Sequence, residues 1–276
     1  MKILVTGGCG FIGSHLVDKL IELDHDVVVL DNLSSGKKKN MNPKATFVYG
    51  DIRDIEDVNR AMRNCNIVFH LAAITDARSD ADDIYKVNYL GSSNVFRIAE
   101  KKKAKVIFTS SAAVYGNAIE KEDSYCEPIS QYGKSKLKAE KLCPNDAFII
   151  RLFNAYGPRG NSVINKFCKK MPKYDDITVF GNGLQTRDYI YISDVINALL
   201  LGLDNTGLYN VGTGVETSVM DIIEIIRITT RNKPHMKFTT PNKNEVKRSK
   251  ADISKIKKLK WKPEMDIVYG IRELLS

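Results

Sequence analysis

The segment SQYGKSK, residues 130–136, places a tyrosine and a lysine four positions apart. Residues at i and i+4 share one face of a helix, so Tyr132 and Lys136 would lie side by side if the segment is helical. A free tyrosine has a pKa of about 10 and is a poor base at neutral pH, but a neighbouring cation lowers that pKa. The pair could therefore take a proton from a substrate hydroxyl. A surface tyrosine without function is the alternative, and the rest of the chain decides between them.

A glycine-rich turn near the N-terminus is the second candidate for chemistry. Gly7, Gly10 and Gly13 lie in VTGGCGFIGSHL, between a predicted strand, KILVT, and a predicted helix, FIGSHLVDKLIEL. In this context such glycines let the backbone approach a pyrophosphate, which the helix N-terminus then faces. Asp31 ends the next predicted strand, 18 residues after Gly13. A carboxylate there accepts hydrogen bonds from an adenosine ribose and repels a 2′-phosphate, so the pattern predicts NAD rather than NADP.

Short apolar segments alternate with amphipathic segments through the first half of the chain. The strands are apolar throughout, which is typical of parallel strands covered on both faces. Regular alternation of strand and helix predicts an α/β fold with a Rossmann-type doubly wound parallel sheet. Predicted strands cover 2–6, 26–31, 46–50, 66–72, 104–111 and 147–153, and predicted helices cover 11–23, 55–62, 83–101 and 130–142.

The character of the sequence changes after residue 153, where NAYGPRGNS is typical of a loop and later elements are shorter and more polar. We therefore expect an NAD-binding domain over 1–153 and a smaller C-terminal α/β substrate-binding region over 154–276. The segment 186–212 is expected to return to the first domain, so that the boundary is interleaved in the sequence.

Composition argues against several classes of protein. The longest apolar runs are too short to span a bilayer and the first residues lack a signal peptide, so we expect a cytoplasmic protein without a membrane partner. Five cysteines are widely spaced and four histidines are scattered, which disfavours a disulfide framework and a bound metal. The net charge of +9 comes from dispersed lysine clusters without interleaved aromatic residues. This pattern disfavours nucleic acid as a partner, although a basic cleft would suit a small anion.

Several motifs together resemble one known family. They are TGGCGFIGSH, GDIRD, HLAA, VNYLG, TSSAAVYG, YGKSK, RLFNAYGPR, TRDYIYISD and YNVGTG, and they extend over most of the chain. The chain resembles an extended short-chain dehydrogenase/reductase of the NAD-dependent sugar-nucleotide epimerase/dehydratase family, and most of all the UDP-glucose 4-epimerase group within it. The motifs are specific for the family and less specific for the substrate.

The resemblance implies roles for the matching residues. Tyr132 and Lys136 match the family's catalytic YxxxK, and Ser111 matches its catalytic Ser or Thr at a strand end. The positions implied to bind NAD are Gly7, Gly10, Phe11, Ile12, Gly13, Asp31, Asn32, Asp51, Ile52, Leu71, Ala72, Ala73, Asn88, Tyr132 and Lys136. Those implied to bind the nucleotide sugar are Ser111, Tyr132, Asn154, Arg187 and Ser249.

The implied reaction is NAD-dependent epimerisation at C4 of a nucleotide-diphosphate sugar, with UDP-hexose as the expected substrate and a homodimer as the expected assembly. Tyr132, as phenolate, would take the proton of the sugar 4-hydroxyl while the C4 hydride passes to NAD. The 4-keto sugar would turn in the pocket and take the hydride back on its other face. Arg187 is suited to the diphosphate, and a structural ion pair with Asp188 is its alternative role.

Two features of the C-terminal region concern the substrate. The family often has an arginine shortly before a Gly-Asp pair, and Asn242 stands at that place here, so Lys243 or Arg248 would have to supply the phosphate contact. With Glu245 at the acidic position, Ser249 falls where a small residue leaves room for the C2 substituent of the sugar. An N-acetylated hexose would then be accepted, whereas a register shifted by one residue would place a lysine there.

Three other functions compete with epimerisation. A 4,6-dehydratase needs an acid pair just after the catalytic Ser or Thr, where this chain has Ala112 and Ala113, and alanine cannot transfer a proton. A 4-ketoreductase, which exchanges its cofactor in each turnover, stays open. A regulator that binds NAD without catalysis is disfavoured because the tyrosine, lysine and serine are all present.

Overall fold

The computed structural model describes residues 1–76, 79–117, 120–240 and 246–276. In chain order the strands are β1 (Lys2–Thr6), β2 (Asp26–Asp31), β3 (Thr46–Tyr49), β4 (Ile67–His70), β5 (Lys105–Ser111), β6 (Phe148–Leu152), β7 (Asn154–Tyr156), β8 (Ile177–Phe180), β9 (Thr186–Tyr191), β10 (Gly207–Val211), β11 (Glu216–Ser218) and β12 (Met236–Thr239). The helices are α1 (Phe11–Glu22), α2 (Ile55–Ala61), α3 (Ala81–Tyr85), α4 (Ser92–Lys102), α5 (Gln131–Glu140), α6 (Val163–Lys170), α7 (Ile192–Leu200), α8 (Val219–Thr230), α9 (Ser254–Lys257) and α10 (Ile267–Leu275).

The chain forms two compact units. Unit 1 comprises Met1–Ala118, Tyr125–Arg151 and Ile196–Tyr209, and unit 2 comprises Ile119–Ser124, Leu152–Val195 and Asn210–Ser276. The sequence therefore passes between the units several times. The assignment of NAD binding to residues 1–153 and of substrate binding to residues 154–276 stays a prediction.

A seven-stranded sheet organises unit 1, with strand order β10-β6-β5-β4-β1-β2-β3. Parallel pairing joins β1 to β2 and β4, β2 to β3, and β4 to β5. The order runs outward from β1 in both directions, so the carboxyl ends of β1 and β4 flank a switch point where ligands bind in open α/β sheets. The predicted Rossmann-type doubly wound sheet is confirmed, and the predicted elements of this half begin and end within two residues of the observed ones, apart from 83–101.

The core of this sheet forms because its strands are apolar on both faces. β4 is buried along its whole length, and Leu4 of β1 and Phe108 of β5 have no exposed surface. Val58 of α2 and Val95 of α4 pack into the same apolar cluster. Burying each of these large side chains is worth about 1.5–3 kcal/mol, so the sheet gives the loops at its carboxyl end a firm base.

The predicted helix over 83–101 is interrupted: between α3 and α4 the segment Lys86–Gly91 is π-helical. Ser92 Oγ donates to the carbonyl oxygen of Asn88 at 2.6 Å, and a side chain that bonds a carbonyl four residues earlier disturbs the helix. A Cβ on Gly91 would lie 2.7 Å from side-chain carbons of Ile52, so the helix lies against the segment after β3. π-Helical turns of this kind are frequent at functional sites.

Unit 2 is the smaller α/β region. It contains a three-stranded sheet, β11-β9-β7, and a two-stranded parallel sheet, β12-β8. β9 runs antiparallel to β11 and parallel to β7. Helices α6, α8 and α10 pack against one another. Within the described ranges no helix is long and apolar enough to cross a membrane, and no cluster of three His, Cys, Asp or Glu side chains could hold a metal.

Candidate active site

The glycine-rich turn between β1 and α1 forms an open cradle. Gly7 has φ +71°, and a Cβ there would lie 2.9 Å from backbone atoms of Ala72. A Cβ on Gly13 would lie 2.2 Å from the carbonyl oxygen of Gly7, so both positions exclude a side chain. Gly10 caps α1 without a side-chain hydrogen bond, which leaves the N–H groups of the first turn available to an anion. The turn therefore fits a diphosphate.

Acidic side chains lie at the carboxyl ends of β2 and β3. Asp31 is buried; its Oδ2 accepts from Cys9 N at 2.9 Å and its Oδ1 from Leu33 N at 2.8 Å. Each oxygen keeps a second lone pair, which a ribose hydroxyl could use. Asn32 Nδ2 donates to Asp51 Oδ2 at 2.8 Å, so the predicted residues after β2 and β3 lie together.

A buried histidine that the sequence interpretation did not single out joins the cofactor cradle to the helices. Thr6 Oγ1 accepts the N–H groups of the two residues after His70, so its own hydrogen points to His70 Nδ1, at 2.7 Å. The other ring nitrogen, Nε2, then donates to Ser92 Oγ at 2.9 Å. Burial, aided by the charge of Lys136, lowers the pKa of His70 to about 3, so the ring stays neutral. The sequence did contain a signal for this residue, because a histidine within a continuously apolar strand is expected to be buried.

Asn88 holds the loop after β4 against the helix that carries Tyr132. Its Oδ1 accepts from Ile74 N at 2.8 Å, and its Nδ2 donates to Ile74 O at 2.9 Å and to Ser135 Oγ at 3.1 Å. Ser135 Oγ in turn donates to the carbonyl oxygen of Tyr132 at 2.7 Å. The amide is therefore engaged in support, and its predicted contact with NAD stays a prediction.

The three predicted catalytic residues lie together where α5 meets the end of β5. The Tyr132 hydroxyl is hydrogen-bonded to Ser111, and Lys136 Nζ donates to Thr109 O at 2.8 Å. A Cβ on Gly133 would lie 2.3 Å from the carbonyl oxygen of Ala113, so this glycine lets the helix approach the turn after β5. Because Tyr132 and Lys136 are four residues apart on α5, both side chains lie towards the end of β5.

Burial dominates the electrostatics of these groups. It raises the pKa of Tyr132, and the hydrogen bond from Ser111 opposes that rise. It lowers the pKa of Lys136 to about 8, so the lysine is still mostly charged at neutral pH. Proton removal by Tyr132 therefore depends on positive charge nearby.

Two of the predicted substrate residues lie on β7 and β9 of unit 2. Asn154 Nδ2 donates to the carbonyl oxygen of Asp188 at 3.4 Å, and Arg187 Nη1 donates to Thr186 O at 2.7 Å. The buried Asp188 carboxylate accepts from Thr213 N, Thr213 Oγ1, Gly214 N and Ala251 N. All four of these donors to Asp188 are neutral.

Ser249 is buried in unit 2 beside Glu120, which the sequence interpretation also missed. Glu120 is hydrogen-bonded to the Ser249 hydroxyl and accepts from Lys250 N, and burial raises its pKa to about 6. Arg248 forms a bidentate ion pair with Glu216, at 2.6 and 3.0 Å. The predictions for Asn242, Lys243 and Glu245 lie outside the described residues.

Known proteins with similar sequences and structures were compared with this chain. The NAD dependent epimerase/dehydratase family matches residues 3–212. A protein of Methanocaldococcus jannaschii described as a putative UDP-glucose 4-epimerase is 40% identical, over 99% of this chain and 97% of its own. The Thermotoga maritima UDP-glucose 4-epimerase, solved with UDP-glucose, has a TM-score of 0.95 at 33% identity, covering 100% of this chain and 97% of that one.

The relatives differ in substrate. A UDP-N-acetylglucosamine 4-epimerase of Methanobrevibacter ruminantium, solved with UDP-N-acetylmuramic acid, has a TM-score of 0.92 at 32% identity and covers 99% of this chain and 96% of that one. A UDP-glucuronic acid decarboxylase of Arabidopsis thaliana is 29% identical over all of this chain and 69% of its own.

The chain belongs to the NAD-dependent epimerase/dehydratase family, its cofactor is NAD, and the resemblance seen in the sequence is confirmed.

Proposed function

We propose that this protein inverts the configuration at C4 of a UDP-hexose through a transient 4-keto sugar. The observation that carries this proposal is that Tyr132 and Lys136 lie one helical turn apart on α5 where it closely approaches the end of β5, which carries Ser111, and that Lys136 Nζ bonds Thr109 O there. Alanines at 112 and 113 support it, because they leave the neighbouring turn without an acid for dehydration.

The residues of unit 1 divide the work of binding and proton transfer. Asp31 would hold the adenosine ribose, and the N–H groups at the start of α1 would hold the cofactor diphosphate. Bound NAD supplies hydride acceptance from C4 and its return to the same carbon. Tyr132 would take the proton of the 4-hydroxyl and give it back at the end, while Ser111 holds the reacting oxygen. The cycle therefore closes without net oxidation or loss of a proton.

The residues of unit 2 would bind the nucleotide sugar. Arg187 suits the substrate diphosphate and Asn154 the sugar, as the resemblance implies. The hydroxyl of Ser249 is hydrogen-bonded to Glu120. We propose that Ser249 determines how much space the pocket leaves for the substituent at C2 of the sugar. We expect Ser249→Tyr to lower turnover of UDP-N-acetylglucosamine far more than turnover of UDP-glucose, and equal effects on both would contradict this role.

Assembly and location complete the proposal. A homodimer in the cytoplasm is expected from the family resemblance and from the lack of membrane features in the sequence. Size-exclusion chromatography with light scattering tests the assembly directly.

The experiment that tests the function offers the purified protein UDP-glucose, UDP-galactose, UDP-N-acetylglucosamine and UDP-glucuronate. Proton NMR of the sugar should show C4 inversion of at least one of the hexoses. The relatives give a specific alternative: a decarboxylase would oxidise the same carbon of UDP-glucuronate and release CO2 from the resulting β-keto acid. A pentose product, or no inversion of any sugar, would overturn the proposal.

A further inference from the structure

A buried ion pair lies one helical turn beyond Lys136. Glu140 Oε2 accepts from Arg151 Nη2 at 2.8 Å and Glu140 Oε1 from Arg151 Nε at 3.1 Å. The two side chains are 8% and 5% exposed. Ser110 Oγ also donates to Glu140 Oε1, at 2.5 Å. One carboxylate therefore joins α5 to β5 and β6.

The same helix and strand carry the proposed catalytic groups. Positions 132, 136 and 140 of α5 recur every four residues and so lie along one side of the helix. Tyr132 contacts Ser111, Lys136 contacts Thr109, and Glu140 contacts the residue between those two. A brace at that residue fixes the strand end on which the reacting serine lies.

The charged groups that surround the Glu140–Arg151 ion pair are buried. Lys136 and Arg151 are cations, and the Glu140 carboxylate acts on both. Arg151 also lies over the Tyr115 ring, 4.8 Å from its centroid. The other titratable groups that interact with this cluster are His70 on β4, Tyr115 after β5, and the thiols Cys126 and Cys143. Tyr132 lies on the same side of α5. The histidine and both thiols are neutral, because burial lowers the pKa of the first and raises the pKa of the other two.

We propose that Glu140 is a positioning residue for the proton transfer: held by Arg151 and Ser110, it fixes the strand end and balances the buried positive charge beside Lys136 and Tyr132. This inference rests on the proposed function of that pair. It assigns the ion pair an electrostatic task as well as a structural one.

The sign of the effect follows from the charges. Without the Glu140 carboxylate, the site loses one negative charge beside Arg151 and becomes more positive. A positive potential disfavours the ammonium of Lys136 and favours the phenolate of Tyr132, so both pKa values fall. Removing Arg151 alone makes the site more negative and raises both. Removing the two together restores the balance.

Three variants test this: Glu140→Gln, Arg151→Gln and the double variant. In Glu140→Gln the whole pH profile of kcat should move to lower pH by about one unit. In Arg151→Gln it should move to higher pH, and in the double variant it should return to the wild-type position. The matched control is Glu224→Gln, which breaks an exposed bidentate pair with Arg227 and should leave the profile in place.

A measurement without substrate separates this inference from the proposed function. In the NAD-bound protein labelled with 13C at the tyrosine ζ carbon, the Tyr132 resonance is assigned by its loss in Tyr132→Phe. Its titration should shift in the same directions, even if no UDP-sugar is epimerised. Lowered thermal stability with an unchanged titration would reduce Glu140 to a structural brace and overturn the proposal. If Glu140→Gln does not fold, Arg151→Gln decides, and an unchanged titration there overturns it equally.

Discussion

At the scale of single residues, the proposed chemistry depends on how burial and charge set proton affinities. Burial raises the pKa of Tyr132 and so favours the phenol, whereas the hydrogen bond from Ser111 favours the phenolate. A positive charge close by would favour the phenolate too. Lys136 shares the same buried surroundings, and its ammonium is fixed by the carbonyl oxygen of Thr109. We therefore expect Tyr132 to act as a base only while Lys136 is charged, and this gives two predictions.

Removing the Tyr132 hydroxyl should stop proton transfer while leaving the fold unchanged. We expect Tyr132→Phe to lower kcat by about 10²–10⁴-fold, the range lost with a general base. NAD affinity, measured by isothermal titration calorimetry, should stay close to wild type because the ring remains. Tyr174→Phe is the control, since that tyrosine is 69% exposed. Near-normal turnover of Tyr132→Phe would exclude this residue as the base.

Activity should also fall at alkaline pH. The pKa of Lys136 is lowered to about 8 by burial, so the lysine is charged below that pH and neutral above it. As its charge is lost, the phenolate of Tyr132 loses a stabilising partner, and kcat/KM should decline as the pH rises through about 8. Lys138→Gln removes an exposed lysine of the same helix and should leave the alkaline decline of kcat/KM unchanged. A profile that stays flat above this range would contradict the assigned role of Lys136.

At the scale of elements, the close approach of α5 to the end of β5 brings the tyrosine and serine together. Ser130 caps the helix by accepting from Gly133 N at 3.0 Å, which fixes where its first turn begins. The sequence predicted this helix and the face that Tyr132 and Lys136 share, because the i,i+4 pattern is local. It did not predict the π-helical turn at Lys86–Gly91, where the bond from Ser92 Oγ to Asn88 O is combined with close packing of Gly91 against Ile52, a residue distant in sequence.

Gly133→Ala tests this close approach. The added Cβ would lie 2.3 Å from Ala113 O, so the helix must move away from the turn after β5. A displacement of about 1 Å costs about 100-fold in rate, and we expect kcat to fall by that order. NAD affinity should change less, because, of the positions implied to bind NAD, only Tyr132 and Lys136 lie on α5, whereas the glycine-rich turn and Asp31 lie on other elements. Lys134→Ala, at the next and exposed position, is the control, and wild-type turnover of Gly133→Ala would show that the contact is not limiting.

At the scale of the whole molecule, the sequence predicted the fold class and the family because their signals are repeated along the chain. Apolar strands recur along the chain, and the glycine-rich turn and the YGKSK motif each specify a local structure. The ties made by His70, Glu120 and Glu140 were missed, since each joins residues far apart in sequence and none has a local pattern. The charges that tune a site are therefore harder to infer from sequence than the groups that react.

The balance of the reaction gives the last prediction. Epimerisation returns the hydride to C4, so the cofactor is neither consumed nor released as NADH, whereas a 4-ketoreductase needs one reduced cofactor in each turnover. Ala112 and Ala113 form the turn after Ser111 and offer no acid, so water should not be eliminated from the sugar. We therefore expect C4 inversion without net change in absorbance at the NADH band and without a 4-keto-6-deoxy sugar, measured by combined absorbance and NMR on one sample. Addition of NADPH is the control and should not alter the rate. Stoichiometric loss of NADH or NADPH would indicate a reductase, and a 4-keto-6-deoxy product would mean that another residue supplies the missing acid.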